Sequence, residues 1–408
     1  MGLAERLKAI ESSQQTVVAS APPLPQQDVT PPLIDQSTFC QPAYQTSVPV
    51  SQQQTYQAPS YQTSIPQQPT YQASVPSYQT NVPQQPLYSS QPCVVPQKKE
   101  GGFLASITSK FSQKTSNIQH NTPGPYYNAI KQRVDSVIQD KGLQHFFPFN
   151  SPQYNALLIR LSHIDYPTIA AKRKIPIELA FDLAALGVAD ILLFVDDSGS
   201  MLFDEQWNQS TEKIDDLKLI LSRVVDIASM FDDDGLCLRF FNNNNEFDNI
   251  TNETDALNAL AKVSYNGGTP IGRNLVTKVL EPFVYAKARK NQLTKPLMIY
   301  IITDGVPDNK VELKDNIRKC KEWLQQTCYG KSAVNIMFAQ VGNSQSAAQY
   351  LKTELDNDPD IGEDVDTTGN FEMEYEKYKA KGVDLTPDLW LLQMTLGSIV
   401  RAYDEGND

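Results

Sequence analysis

Five oxygen-bearing side chains stand out by type and spacing: Asp196, Ser198, Ser200, Thr269 and Asp304. The first three lie in Asp196-Asp197-Ser198-Gly199-Ser200, where alternate residues of an extended turn point the same way. Gly199 allows a tight fold between the two serines. Thr269 follows a diglycine in Gly267-Gly268-Thr269-Pro270, and Asp304 follows an apolar run in Thr303-Asp304-Gly305. Two carboxylates and three hydroxyls are hard oxygen donors, suited to Mg2+ or Mn2+ in an octahedral shell at about 2.1 Å, some through water. So little negative charge leaves the ion electron-poor. The natural sixth ligand is then an acidic oxygen from outside, a Glu or Asp of a protein partner.

Enzyme chemistries that use similar parts fit less well. An aspartyl-phosphate phosphatase needs a second carboxylate two residues after the first, and Ser198 stands there. No GxSxG surrounds either serine, and His120, His145 and His163 all precede the core, so no Ser–His pairing is expected. The glycine loop at 267–272 lacks the Lys-Ser/Thr of a phosphate loop. Asp356, Asp358, Asp360 and Gly362 suggest a calcium loop, but the sixth and twelfth positions are Ile361 and Thr367. That stretch reads as an acidic loop after a helix. Trp207, just beyond the serines, is either a rim anchor for a partner or a packing residue under a loop.

The elements that must position these residues follow from hydrophobic periodicity. Ile191–Val195, Leu236–Phe241, Leu297–Thr303 and Val334–Val341 are apolar runs of buried-strand length. Between them lie helical patterns at 211–231, 253–262, 271–289 and 310–327. Ser344 opens a further helix toward Asp356, and Thr386 caps a last one with Pro387 at its first position and Asp388 in its first turn. Upstream, Tyr127, Ile130, Val134 and Val137 predict a helix at about 125–140, and Pro176 opens one through Leu186. This alternation predicts an α/β fold, a doubly wound, mostly parallel sheet with helices on both faces. In such sheets ligands collect at the carboxyl ends of strands where strand order reverses.

The five positions together resemble the metal-ion-dependent adhesion site (MIDAS) of von Willebrand factor A (VWA) domains. The match extends to Val195–Met201, Ile214-Asp215-Asp216-Leu217-Lys218, Phe231-Asp232-Asp233-Asp234-Gly235, Asp356–Gly362 and the helix from Ile175-Pro176 to Leu186, which resemble a largely fungal group of intracellular A-domain proteins. It covers roughly residues 143–408. The resemblance implies that the two serines ligate the metal directly. Thr269 and Asp304 would bind directly or through water depending on domain state, and Asp196 largely through water. It implies a non-enzymatic, Mg2+-dependent protein-binding module. Alternatives from other classes are an accessory subunit of an ATPase- or chelatase-type complex and a tail-driven scaffold protein.

Composition sets the surroundings. The net charge is −12, and residues 1–100 hold only five of the 47 acidic and four of the 35 basic side chains. The negative field of the remainder argues against nucleic acid. The basic run Lys172-Arg173-Lys174 reads as a solvated loop beside a helix. Five cysteines without ligand or framework spacing fit reduced thiols. The start has no signal-type apolar core, Arg6 breaks the myristoylation pattern, and no apolar run spans a membrane. The expectation is a soluble cytoplasmic or nuclear protein, in which the glycosylation-type triplets at Asn208, Asn249 and Asn252 carry no meaning.

Residues 1–100 form the expected disordered Gln/Pro/Tyr/Ser-rich tail. Tyr44–Pro49, Tyr61–Pro66, Tyr71–Pro76 and Tyr78–Pro83 are degenerate copies of one repeat, too poor in aliphatics to offset chain entropy. It reads equally as a multivalent array making weak contacts and as a solubilising spacer. Leu3, Leu7 and Ile10 share one helical face, but a frayed terminus is the expectation there. Residues 101–142 read as a linker with a helix, 143–186 as a helical lead-in and 187–403 as the VWA domain.

Overall fold

The computed structural model describes residues 2–20 and 122–403. The repeats, Cys40, Cys93 and His120 lie outside the described residues.

Helices α1 (Leu3–Ser20), α2 (Tyr127–Asp140), α3 (Pro152–Ser162), α4 (Tyr166–Arg173) and α5 (Ile177–Asp182) precede strand β1 (Asp190–Val195). Helix α6 (Glu212–Ala228), strands β2 (Leu236–Phe240) and β3 (Phe247–Ile250) and helix α7 (Glu253–Leu260) follow. A continuous helical stretch comes next: α8 (Ile271–Leu275), a wide-turn segment (Val276–Tyr285) and α9 (Ala286–Arg289). The chain continues through β4 (Leu297–Thr303), α10 (Lys310–Gln325), β5 (Val334–Gln340), α11 (Gln345–Gln349), β6 (Val365–Thr368), α12 (Phe371–Ala380) and α13 (Pro387–Leu396).

The strands form one sheet in the order β3-β2-β1-β4-β5-β6, parallel except for the edge pair β2–β3. Every residue of β4 and β5 is buried, as is β1 after Asp190, which explains their unbroken apolar runs. The chain builds outward from β1 to β2 and β3, then returns to place β4 on the other side of β1. The right-handed crossover rule for parallel strands assigns α6 to one face and α8 and α10 to the other. The packing agrees: α6 contacts α13, and α8 contacts α10. Strand order therefore reverses between β1 and β4, the switch point where a ligand cleft is expected.

Most caps match the sequence reading. Thr386 accepts from Leu389 N at 3.2 Å with Pro387 in the first turn, and Ser344 accepts from Ala347 N at 3.4 Å. Pro176 lies one position earlier than expected, capping α5, and the helix tightens into a 3-10 turn over Leu183–Val188. The pattern at 271–289 is not uniform α-helix. Pro282 cannot donate its backbone nitrogen, and the wide-turn register spans it.

Two expectations are corrected. The opening segment is not a frayed end: Leu3, Ala4 and Leu7 are buried, Ile10 packs against the core, and Arg6 reaches Asp182 at 2.5 Å. Arg173 is not part of a solvated loop. It is buried and joins α4 to Asp226 of α6 and Asp388 of α13.

Candidate functional site

Backbone hydrogen bonds assemble three loops at the carboxyl ends of β1 and β4. Asp196 N donates to Ile302 O of β4 at 2.9 Å. Gly199 N donates to Gly267 O at 3.1 Å and Asn266 N to Asp197 O at 2.8 Å, joining the serine loop to the glycine loop. Asp308 N donates to Thr269 O at 3.0 Å, and Thr269 N donates to Asp308 Oδ1 at 2.9 Å, joining the glycine loop to the loop after β4. Gly268 is needed for that approach, because a Cβ there would stand 2.6 Å from Asp308 Oδ2.

Ser198, Ser200 and Asp304 meet inside this frame, with Asp196 behind them and Thr269 lining the same cleft. Ser198 Oγ and Ser200 Oγ are 2.9 Å apart, and Ser200 Oγ donates to Asp304 Oδ1 at 2.9 Å. Ligands at about 2.1 Å from an octahedral ion are about 3.0 Å apart along an edge, so Ser200 Oγ stands at adjacent-ligand spacing from each of the other two oxygens. Asp196 is fully buried behind them. Its Oδ1 accepts from Ser198 N at 2.8 Å and its Oδ2 from Thr303 Oγ1 at 2.6 Å. Burial, and then the charge of Asp304, push the Asp196 carboxyl well above the ordinary range. A cation beside the pair would relieve that penalty. Ser200, Thr269 and Asp304 line a cleft of about 390 Å³ that Phe203, Asp204, Glu205 and Trp207 help to wall. Trp207 is 75% exposed with φ of 61°, and its ring lies 5.9 Å from that of Phe203. It is a rim residue, not one packed under a loop.

Several supporting residues escaped the sequence reading. Asp197 accepts from Asn242 N and Asn243 N at 2.7 Å each, and Asn242 Nδ2 donates to Gly268 O at 2.9 Å. Lys278 Nζ donates to the carbonyls of Phe240, Phe241, Asn242 and Asn243, fixing the end of β2. Lys213, on the first turn of α6, donates to Asp304 Oδ2 at 2.8 Å. No motif announces these contacts, since each joins segments far apart in the chain.

The other readings find structural roles. Asp358 accepts from the backbone nitrogens of Asp360 and Ile361 and pairs with Lys314, while Asp360 pairs with Arg318. The acidic stretch is a turn tied to α10. His145 stacks edge-on against Tyr329, and His163 Nε2 contacts Thr122 O at 2.9 Å. Among the described residues no helix is long and apolar enough to cross a membrane, and Cys237 and Cys320 are free thiols.

A second acidic group, Asp190, Asp232 and Asp234, lies at the opposite end of the sheet. Lys295 Nζ stands 3.1, 3.3 and 3.3 Å from the three carboxylates, at the centre a cation would take. Burial, reinforced by a hydrogen bond with Asp234, pushes Asp232 up to about 7. An aspartate with a folded pKa above its unfolded value near 4 takes up a proton on folding between those limits. Its contribution is therefore fully present below about pH 4 and is lost as pH rises through about 7. Urea unfolding of wild type and Asp232→Asn from pH 4 to 8 checks this. The wild type is expected to lose about 2–4 kcal/mol relative to the variant across that range. Parallel curves would remove Asp232 as the cause.

No family model and no curated protein matches the chain. Among solved structures, the chain is similar to the manganese-loaded TRAP protein of Plasmodium vivax, with 15% identity and a TM-score of 0.28. The match covers 50% of this chain and 74% of that one. The fold assignment rests on the strand order and registers given above.

Proposed function

We propose that the cleft at the β1–β4 switch point is a MIDAS of the von Willebrand factor A type, part of a non-enzymatic module that binds a protein partner through Mg2+ or Mn2+. The reading rests on one observation: Ser200 Oγ keeps adjacent-ligand spacing to both Ser198 Oγ and Asp304 Oδ1 beside an open cleft. In this reading Ser198, Ser200, Asp304 and Thr269 hold the ion, and Asp196 acts through its hydrogen bonds to the serine loop. The ion supplies Lewis acidity toward an acidic oxygen; the protein supplies rigid placement. The partner contributes a Glu or Asp carboxylate, and Trp207 offers it a large apolar rim contact. Binding, not turnover, is favoured because the serine hydroxyls are engaged with each other and with Asp304, whose second oxygen holds Lys213. We further propose a cytoplasmic or nuclear location, in keeping with cysteines that lack framework spacing.

Isothermal titration of the full chain with MgCl2 and MnCl2 tests the metal assignment. Saturable one-site binding is expected, weakened about tenfold in Thr269→Ala, which removes one oxygen donor while leaving the Asp308 bond to its backbone nitrogen. The reading ends if wild type shows no saturable heat and removal of the Lys213 charge restores none. Trp207→Ala is expected to leave metal affinity unchanged and to weaken Mg2+-dependent partner binding by more than tenfold, a loss of at least about 1.4 kcal/mol.

A further inference from the structure

Lys213 is misplaced by the rules that place most lysines. Its side chain is buried although lysines are seldom so, and it lies in the first turn of a helix, where the positive end of the dipole disfavours a cation. Two features hold it there. Its ammonium donates to Asp304 Oδ2 at 2.8 Å and stands 3.4 Å from Glu205 Oε1. Its stem fills a recess under Gly342, where any Cβ would come within 2.9 Å of Lys213 Cγ and 3.1 Å of its Cε. The fold has shaped backbone around this chain.

The ammonium thus occupies one oxygen of the carboxylate whose other oxygen faces Ser200. It neutralises Asp304 when no divalent ion is bound, and it repels a dication that arrives at the neighbouring oxygens. Glu205, more exposed, lies within reach of the same nitrogen, so the ammonium can exchange carboxylates through a small movement of its stem.

We propose that Lys213 is a built-in counter-ion that competes with the divalent cation for Asp304, with Glu205 as the carboxylate that takes the ammonium when the cation enters. The proposal rests on the metal reading above. It sets the site to bind metal weakly by itself. A partner carboxylate that adds negative charge to the cleft then tightens metal binding, so ion and partner load together.

The test is isothermal titration of full-length wild type, Lys213→Met and Glu205→Gln with MgCl2 and MnCl2. Methionine keeps an unbranched stem in the Gly342 recess and removes the charge. Lys213→Met is expected to bind Mg2+ roughly ten- to a hundredfold more tightly. Glu205→Gln is expected to bind several-fold more weakly, because the ammonium loses its alternative acceptor. Unchanged or weaker binding in Lys213→Met, with binding intact in wild type, overturns the counter-ion alone. Tightening in Lys213→Met with no change in Glu205→Gln overturns the hand-over to Glu205. Silence in all three proteins overturns the metal reading itself. Should Lys213→Met fail to fold, Glu205→Gln decides: weaker binding supports the exchange, and unchanged or tighter binding rejects it.

Discussion

Asp304→Ala is expected to abolish Mg2+ and Mn2+ binding and to destabilise the metal-free chain by about 3–5 kcal/mol. The two effects have one cause. Asp304 is the carboxylate at the tip of β4, almost fully buried, bonded to Ser200 through one oxygen and to Lys213 through the other. Truncation leaves the Lys213 ammonium, on a side chain only 9% exposed, without its nearest carboxylate, and Glu205 only partly replaces the lost partner. Removing both partners should cost less than removing one. The double variant Asp304→Ala/Lys213→Met is therefore expected to recover most of the stability without regaining metal binding. Chemical denaturation in chelator measures the first effect. Thermal melting with and without MgCl2 at about 100 times the dissociation constant read by titration measures the second: wild type should gain about 2.7 kcal/mol by linkage and the variant nothing. A variant that still shows a magnesium-dependent melting shift would remove Asp304 from the ligand set. A single variant no less stable than the double would show that the Lys213 pair contributes nothing to the fold.

How much of this was legible beforehand depends on how far apart the interacting residues lie. The five candidate ligands announced themselves because each follows a strand tip or a glycine loop, and their order along the chain fits one sheet edge. The central strands were equally plain, since burial on both faces leaves apolar runs such as Leu297–Thr303 with no alternation. The edge strands were not. Phe247–Ile250 has two exposed residues among four, and Val365-Asp366-Thr367-Thr368 carries three polar ones, so neither gives a periodic signal. Asp197 stands between two of the alternating ligand positions, and nothing in that spacing shows that it holds the loop after β2. Lys213 and Asp308 are unreadable for another reason. Their partners lie 91 and 39 residues away, and only the crossing of strand order brings them together.

The same limit hid the anchor of the N-terminal helix, and it carries the second large effect. Asp182→Ala is expected to destabilise the protein by about 3–5 kcal/mol and to release α1 from the body. Asp182 is 4% exposed and closes three segments: Arg6 of α1 at 2.5 Å, Arg133 of α2 at 2.7 Å and Tyr403 near the C-terminal end of the described chain at 2.7 Å. Arg6 also lies 5.2 Å from the centre of the Tyr403 ring. Burial, then the charge of Asp182, holds the Tyr403 hydroxyl far above its ordinary range, so it stays a donor at any physiological pH. Without the carboxylate, two guanidinium groups and this hydroxyl lose their common acceptor. Arg6→Ala separates the contributions. It removes only the α1 contact and leaves Arg133 and Tyr403 paired, so about 1–2 kcal/mol is expected, with the loss of protection confined to α1. Hydrogen exchange on full-length chains reads this directly. Arg6→Ala should expose the amides of α1 and spare β1, β4 and β5, whereas Asp182→Ala should also raise exchange in α2. Protected α1 amides in both variants would mean that the apolar contacts of Leu3, Ala4 and Leu7 hold the helix alone, leaving the buried carboxylate with no part in its docking.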